Sequence, residues 1–284
     1  MTGVGPTLAR IRQGGHSALV GYLPVGYPDL DTSIAAMRAM VEGGVDVVEV
    51  GLPYSDPLMD GPVIQHAGEV ALAGGTRTRD AFRAVEAVVD AGATALVMTY
   101  WNPVERYGVP RFAADLAAAG GAGLITPDLI PDEAGEWLDA AIDNDLDRVF
   151  LVAPSSTAAR LASTTRACRG FVYAASTMGV TGVREAVGAT AQILVERTRE
   201  VTDLPVCVGL GVSTGQQAAE VGAFADGVIV GSALVRCLTD AASPAAGVDA
   251  VRELTAQLAE GAHSAVRAPV DSITTSAKST NVST

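Results

Sequence analysis

Residues 47 to 65, VVEVGLPYSDPLMDGPVIQ, hold the side chains best suited to chemistry. Glu49 interrupts an apolar run one residue before its end, where an unpaired carboxylate is costly and its pKa is driven up. Two readings are open: a strand-end glutamate satisfied by an arginine or a backbone donor, or a functional acid. The loop that follows carries Pro53, Pro57 and Pro62 and the acids Asp56 and Asp60. Either aspartate could simply cap a turn, since Asp-Pro and Asp-Gly are ordinary turn formers. A second carboxylate facing Glu49 across a shared mouth would instead give two acids in different environments, a pair suited to proton transfer.

A second constellation is glycine-rich. STMGVTG (176 to 182), GLGVSTG (209 to 215) and GSALV (231 to 235) each follow an apolar run. Glycine lets the backbone approach a ligand closely, and the amides behind Ser232 open a helix whose positive end suits an anion. Any one of these could be turn chemistry. GLGVSTG does not have dinucleotide spacing and no P-loop occurs, but three convergent turns point to a phosphate.

Other chemistry finds little material. Cys168, Cys207 and Cys237 are widely spaced in apolar or small-residue settings and read as small buried hydrophobes. His16, His66 and His263 form no i, i+4 pair, so no metal site is expected. The one lysine, Lys278, lies near the end of the chain, which counts against a Schiff-base aldolase.

These residues need a frame. Eight β-branched or apolar runs recur, at 18 to 24, 46 to 50, 95 to 99, 123 to 126, 148 to 152, 170 to 174, 206 to 210 and 226 to 230. Between and after them lie candidate helices at 31 to 43, 78 to 92, 110 to 119, 132 to 143, 156 to 168, 184 to 202, 214 to 222 and 246 to 260. Strands apolar on both faces and separated by helices form parallel sheets, and eight such units favour a closed barrel over an open sheet. Pro28-Asp29 and Pro131-Asp132 mark helix starts, and Gly43-Gly44 marks a stop. The expected fold is a single α/β domain, a (β/α)8 TIM barrel over residues 1 to 266. Residues 267 to 284, rich in Ser and Thr, are expected to form a disordered tail. In such barrels function sits at the carboxyl ends of the strands, where both constellations fall.

Composition narrows the class. Hydrophobic residues make up 49% and charged residues 18%, enough apolar material for a large core. Nineteen Lys and Arg against 32 Asp and Glu leave a net charge of -13, which repels nucleic acid and anionic membranes. Any anionic ligand must be caught by local donors. The first residues, MTGVGPTLARIRQGG, lack a signal-peptide core, and no uncharged apolar stretch reaches the ~18 residues of a membrane span. A soluble cytoplasmic protein is expected.

VEVGLPYSDPLMDGPVIQ, YAASTMGVTG, VGLGVST and VIVGSALV resemble, in order, the tryptophan synthase alpha subunit family, over about Leu8 to Val266. The resemblance implies an eight-stranded barrel that cleaves indole-3-glycerol phosphate reversibly to indole and glyceraldehyde 3-phosphate. It matches the family's catalytic glutamate to Glu49 and its catalytic aspartate to Asp60. It places Tyr22, Met98, Tyr100, Ile125, Leu151 and Tyr173 in the substrate pocket and Thr181, Gly182, Gly211, Gly231 and Ser232 around the phosphate. Tyr22 and Leu210 depart from the residues common in the family, and Pro127 lies beside its strand-four aspartate, here Asp128.

The resemblance also implies a pyridoxal-phosphate beta subunit as partner in an alpha2-beta2 complex. Pro53, Asp56 and Asn102 are then interface candidates, the segment 177 to 190 is a mobile lid, and this chain carries no cofactor or metal. Two other readings stay open: a free-standing indole-3-glycerol phosphate lyase, and a ligand-binding activator with little chemistry of its own. The acid pair speaks against the activator. A different phosphate-binding barrel would keep the glycines but lack PYSDPLMDGP.

Overall fold

The computed structural model describes residues 3 to 176, 184 to 209 and 211 to 265. Eight parallel strands close into a barrel: β1 (Ala18–Pro24), β2 (Val47–Gly51), β3 (Thr94–Met98), β4 (Gly123–Thr126), β5 (Asp147–Val152), β6 (Val172–Ala175), β7 (Val206–Gly209) and β8 (Gly227–Val230). β8 pairs back onto β1, so no sheet edge is left open. Each strand lies within two residues of its expected position.

The two-residue period of a strand sorts the side chains. On β2, Val48 and Val50 face the helices, packed with residues such as Met37, Met40 and Phe112 in the outer core. Val47 faces inward, joining Val20, Leu96, Ile125, Val149, Phe171, Cys207 and Ile229 inside the barrel. The same parity turns Glu49 inward, two residues further along. Tyr22 follows Val20, Met98 follows Leu96, Leu151 follows Val149 and Tyr173 follows Phe171 in the same way. The barrel is therefore apolar at its lower levels, and its polar side chains gather at the carboxyl end.

An unanticipated helix closes the other end. Helix α1 (Val4–Gln13) lays Val4, Leu8 and Ile11 against the inner cluster. Its first turn has no side-chain cap of its own. The buried carboxylate of Asp147, at the start of β5, accepts the Val4 N–H at 2.6 Å and pairs with Arg169 Nε at 2.9 Å. This plug removes the floor as a route to the interior and leaves the mouth as the open end.

The remaining helices are α2 (Leu30–Glu42), α3 (Pro62–Ala73), α4 (Thr78–Asp90), α5 (Trp101–Tyr107), α6 (Val109–Ala118), α7 (Gly135–Asp143), α8 (Ala158–Ala167), α9 (Arg184–Arg199), α10 (Gly215–Gly222), α11 (Ser232–Thr239) and α12 (Pro244–Ser264). Asp29 caps α2 through the Thr32 amide, as Pro28-Asp29 suggested. The reading of one helix per strand undercounts the described helices, because α1 and α5 fall where no helix was placed, α3 starts in a segment read as loop, and α11 was seen only as an opening. α3 begins with Pro62 at its first position, so a proline that looks like loop punctuation is a helix start. Gly108, at φ 95°, separates α5 from α6. Pro131-Asp132 opens a 3-10 turn, Pro131–Glu133, and α7 starts only at Gly135. The expected tail lies outside the described residues.

Candidate active site

At the carboxyl ends of the strands a cavity of about 490 Å³ opens, within the range of small-molecule sites. Glu49 and Asp60 both line it, Glu49 from strand β2 and Asp60 from the loop between β2 and α3. Tyr22, Met98, Tyr100, Leu151 and Tyr173 also line it, as do Gly211, Gly231 and Ser232.

Glu49 has 0% exposure, and among the described residues neither of its carboxyl oxygens has a hydrogen-bond partner. The reading of a strand-end glutamate satisfied by an arginine or a backbone donor therefore fails. Burial pushes its pKa from 4.5 up to about 8, so at neutral pH it is mostly the protonated acid. Asp60 sits in a different environment. Burial raises its pKa too, but a hydrogen bond from the Tyr100 side chain works in the opposite direction and favours the carboxylate. One acid has no partner and the other has a donor, the condition under which two carboxyls take different protonation states.

The two tyrosines owe their places to glycines. Tyr22 lies across Gly51, where a Cβ would come within 2.5 Å of its hydroxyl, and Tyr173 lies across Gly209 at 2.7 Å. Any side chain at these strand ends would push a ring out of its position. Burial and the neighbouring carboxyls hold both phenols well above the usual tyrosine range, so they are neutral donors.

No Arg, Lys or His lines the cavity among the described residues. Anion binding there must come from main-chain groups. Helix α11 starts at Ser232 with no side-chain cap on its first turn, and Gly231 and Ser232 face the cavity. Uncapped amides at a helix N-terminus are ready donors to a phosphate.

Some expected positions fall elsewhere. Ile125 has 0% exposure and belongs to the interior layer below the cavity, while Pro127 contributes to the wall beyond β4. Thr181 and Gly182 lie outside the described residues, as do Leu210 and the stretch 177 to 183 of the suggested lid. Pro53 is buried, whereas Asp56 and Asn102 are exposed. Asp56 accepts a hydrogen bond from the adjacent Ser55 hydroxyl, a local turn contact. The carboxylate of Asp128 accepts the Trp101 N–H. Leu52, Met59, Ile64, Thr99 and Ser176 also line the cavity. Sequence reasoning missed them, because nothing in their types sets them apart and only the closed barrel brings them together. Among the described residues, no group of three or more His, Cys, Asp or Glu could hold a metal ion. Cys168 and Cys207 are buried, and burial raises the Cys168 thiol to about 11, as suits a packing residue.

The family profile for the tryptophan synthase alpha chain matches residues 8 to 263. The tryptophan synthase alpha chain of Mycobacterium avium (strain 104) is 62% identical over 258 residues, 91% of this chain and 93% of the relative. That of Thermobifida fusca (strain YX) is 59% identical over 270 residues, 94% and 100% of the two chains. Among solved structures, an open form of tryptophan synthase from M. tuberculosis superposes with a TM-score of 0.85 at 57% identity, covering 92% of this chain and 98% of that one.

The unpartnered Glu49 has a thermodynamic consequence. Between pH 4.5 and about 8 the unfolded chain releases a proton that the folded chain keeps, so this group's contribution to stability falls as pH rises. Glu49→Gln removes that dependence. The variant should melt higher than the parent at pH 9, with the gap narrowing toward pH 5. A gap independent of pH in thermal unfolding would show that Glu49 is not held protonated.

Proposed function

Because the chain belongs to the tryptophan synthase alpha chain family, and so cleaves indole-3-glycerol phosphate reversibly to indole and glyceraldehyde 3-phosphate in L-tryptophan biosynthesis, we propose that Glu49 and Asp60 divide the proton transfers of this retro-aldol step. The observation that carries the assignment is a buried, unpartnered, protonated carboxyl in the same cavity as a second acid that has a donor.

Breaking the bond between the indole ring and the glyceryl chain would leave an unstable carbanion unless the ring carbon is protonated first. Glu49, mostly protonated at neutral pH, supplies that proton. Its carboxylate then takes the proton of the glyceryl hydroxyl as the carbon-carbon bond breaks, so the acid is regenerated within one cycle. Asp60 accepts a hydrogen bond from the ring N–H and stabilises the positive charge that develops on the ring. Tyr22, Met98, Tyr100, Leu151 and Tyr173 enclose the indole, with Ile125 supporting them from below. The amides at Gly211, Gly231 and Ser232, together with Thr181 and Gly182, grip the phosphate and so set the scissile bond between the acids.

The chain needs no cofactor of its own in this reading. Its partner is a beta subunit that holds pyridoxal phosphate, in an alpha2-beta2 complex, with Pro53, Asp56 and Asn102 at the contact. Its single catalytic domain, residues 1 to 266, works in the cytoplasm. No helix among the described residues is long and apolar enough to cross a membrane.

Glu49→Gln should abolish cleavage, by at least about 10³-fold in kcat, while substrate binding stays nearly intact. A variant that retains most of its turnover would defeat the assignment. Asp60→Asn should lower kcat by about 10²-fold or more, measured as glyceraldehyde 3-phosphate release, and an unchanged rate would mean the ring nitrogen needs no anionic partner. Adding a beta subunit to the purified chain should raise that release. Identical rates with and without it would remove the partner from the proposal.

A further inference from the structure

We propose that Tyr100 is the positioning residue for Asp60, and that Asp128 in turn holds Tyr100 in place. The proposal rests on the reading of Asp60 given above and explains how an acid on a loop is kept at a fixed point in the cavity.

The loop from Pro53 to Asp60 is weakly tied to the barrel. Leu58 and Met59 are 86% and 52% exposed. Among the described hydrogen bonds, the Asp60 carbonyl is held by Gln65 Nε2 of α3, the helix that the loop itself leads into. The bond that reaches across to another strand's end is the one from the Met59 N–H to the Tyr100 hydroxyl, at 2.9 Å. The Tyr100 side chain also favours the ionised Asp60, against the rise that burial causes. A single phenol thus ties down the backbone just before Asp60 and favours its ionised form.

Tyr100 is 4% exposed and lies two residues beyond the end of β3. Its ring packs on Tyr54, with centroids 5.2 Å apart. It is the residue before α5, whose first amide has no side-chain cap from its own segment. Asp128, beyond β4, supplies one: its two carboxylate oxygens lie 2.9 and 3.2 Å from the Trp101 nitrogen. The peptide joining Tyr100 to Trp101 is therefore clamped from the next strand's loop, and the phenol is aimed by a side chain that does not line the cavity.

The titratable groups that share the cavity with Asp60 are Glu49 from β2, Tyr22 from β1, Tyr173 from β6 and Tyr100 itself. The tyrosines stay neutral through the working range, and Glu49 titrates near 8. The substrate phosphate, with a second pKa of about 6, is common to every variant, so a change in the acid limb between variants reports Asp60. Removing the Tyr100 hydroxyl removes the donor that favours the carboxylate, so that limb must move to higher pH.

The test compares Tyr100→Phe, Asp128→Ala and Asp128→Asn in the cleavage of indole-3-glycerol phosphate. Tyr100→Phe should lower kcat about ten-fold with a smaller change in KM, and should move the acid limb of kcat/KM upward. Asp128→Ala should shift it the same way by less, and Asp128→Asn, whose amide oxygen can still accept from Trp101, should restore most of the loss. In an Asp60→Asn background, Tyr100→Phe should cost little more. An unmoved acid limb in Tyr100→Phe, or an equal further loss in the Asp60→Asn background, would overturn the proposal. If Tyr100→Phe does not fold, the two Asp128 variants decide: an unmoved limb in Asp128→Ala overturns it. Wild-type cleavage by Asp60→Asn alone would instead overturn the reading of Asp60.

Discussion

A carboxyl group with no partner on either oxygen, held at 0% exposure inside a barrel, is the constraint that organises this molecule. Such a group costs free energy, and the fold provides for it by surrounding it with rigid structure. Glu49 lies in the middle of β2, paired on one side with β1 through Tyr22 and on the other with β3 through Leu96. The strand cannot rotate its side chains by one position without exposing Val48 and Val50 to the interior and Glu49 to the helices. The acid stays in place because the alternative register would disrupt the whole outer core.

Electrostatics then divides the cavity into two halves. The chain is strongly acidic overall, and the cavity walls among the described residues carry two carboxyls and no basic side chain. An anionic substrate can enter only if one acid is neutral and if main-chain dipoles favour its phosphate. The protonated state of Glu49 meets the first condition, and the uncapped start of α11 meets the second. The same burial that tunes the acid for proton transfer therefore also lowers the repulsion its charge would exert on the ligand.

Much of this was legible in the sequence, for physical reasons. The eight strands show because parallel barrel strands are buried on both faces and read as unbroken apolar runs. Glu49 shows because it breaks one of those runs, and the glycine turns show because backbone approach requires that residue. Other features leave no such local trace. Helix α1 begins among glycines and a proline, so its role as a plug appears only once Asp147 caps it across about 140 residues of chain. Ile125 sits on a cavity-facing strand but one level too deep, a difference of height that periodicity does not encode. The contact between Tyr100 and the Asp60 loop depends on two strand ends meeting, and neither segment signals it alone.

The placement of the two acids on different kinds of structure follows from what each must do. In the proposed mechanism Glu49 gives and takes a proton at one carbon, so its carboxyl must not wander, and a central strand supplies that rigidity. In the same mechanism Asp60 faces the ring nitrogen of a molecule that must first get in. A strand at that position would wall off the mouth, whereas a loop leaves the entrance passable. The loop loses precision as a result, and the phenol at the end of β3 returns it, tying the acid back to the same sheet that holds its counterpart.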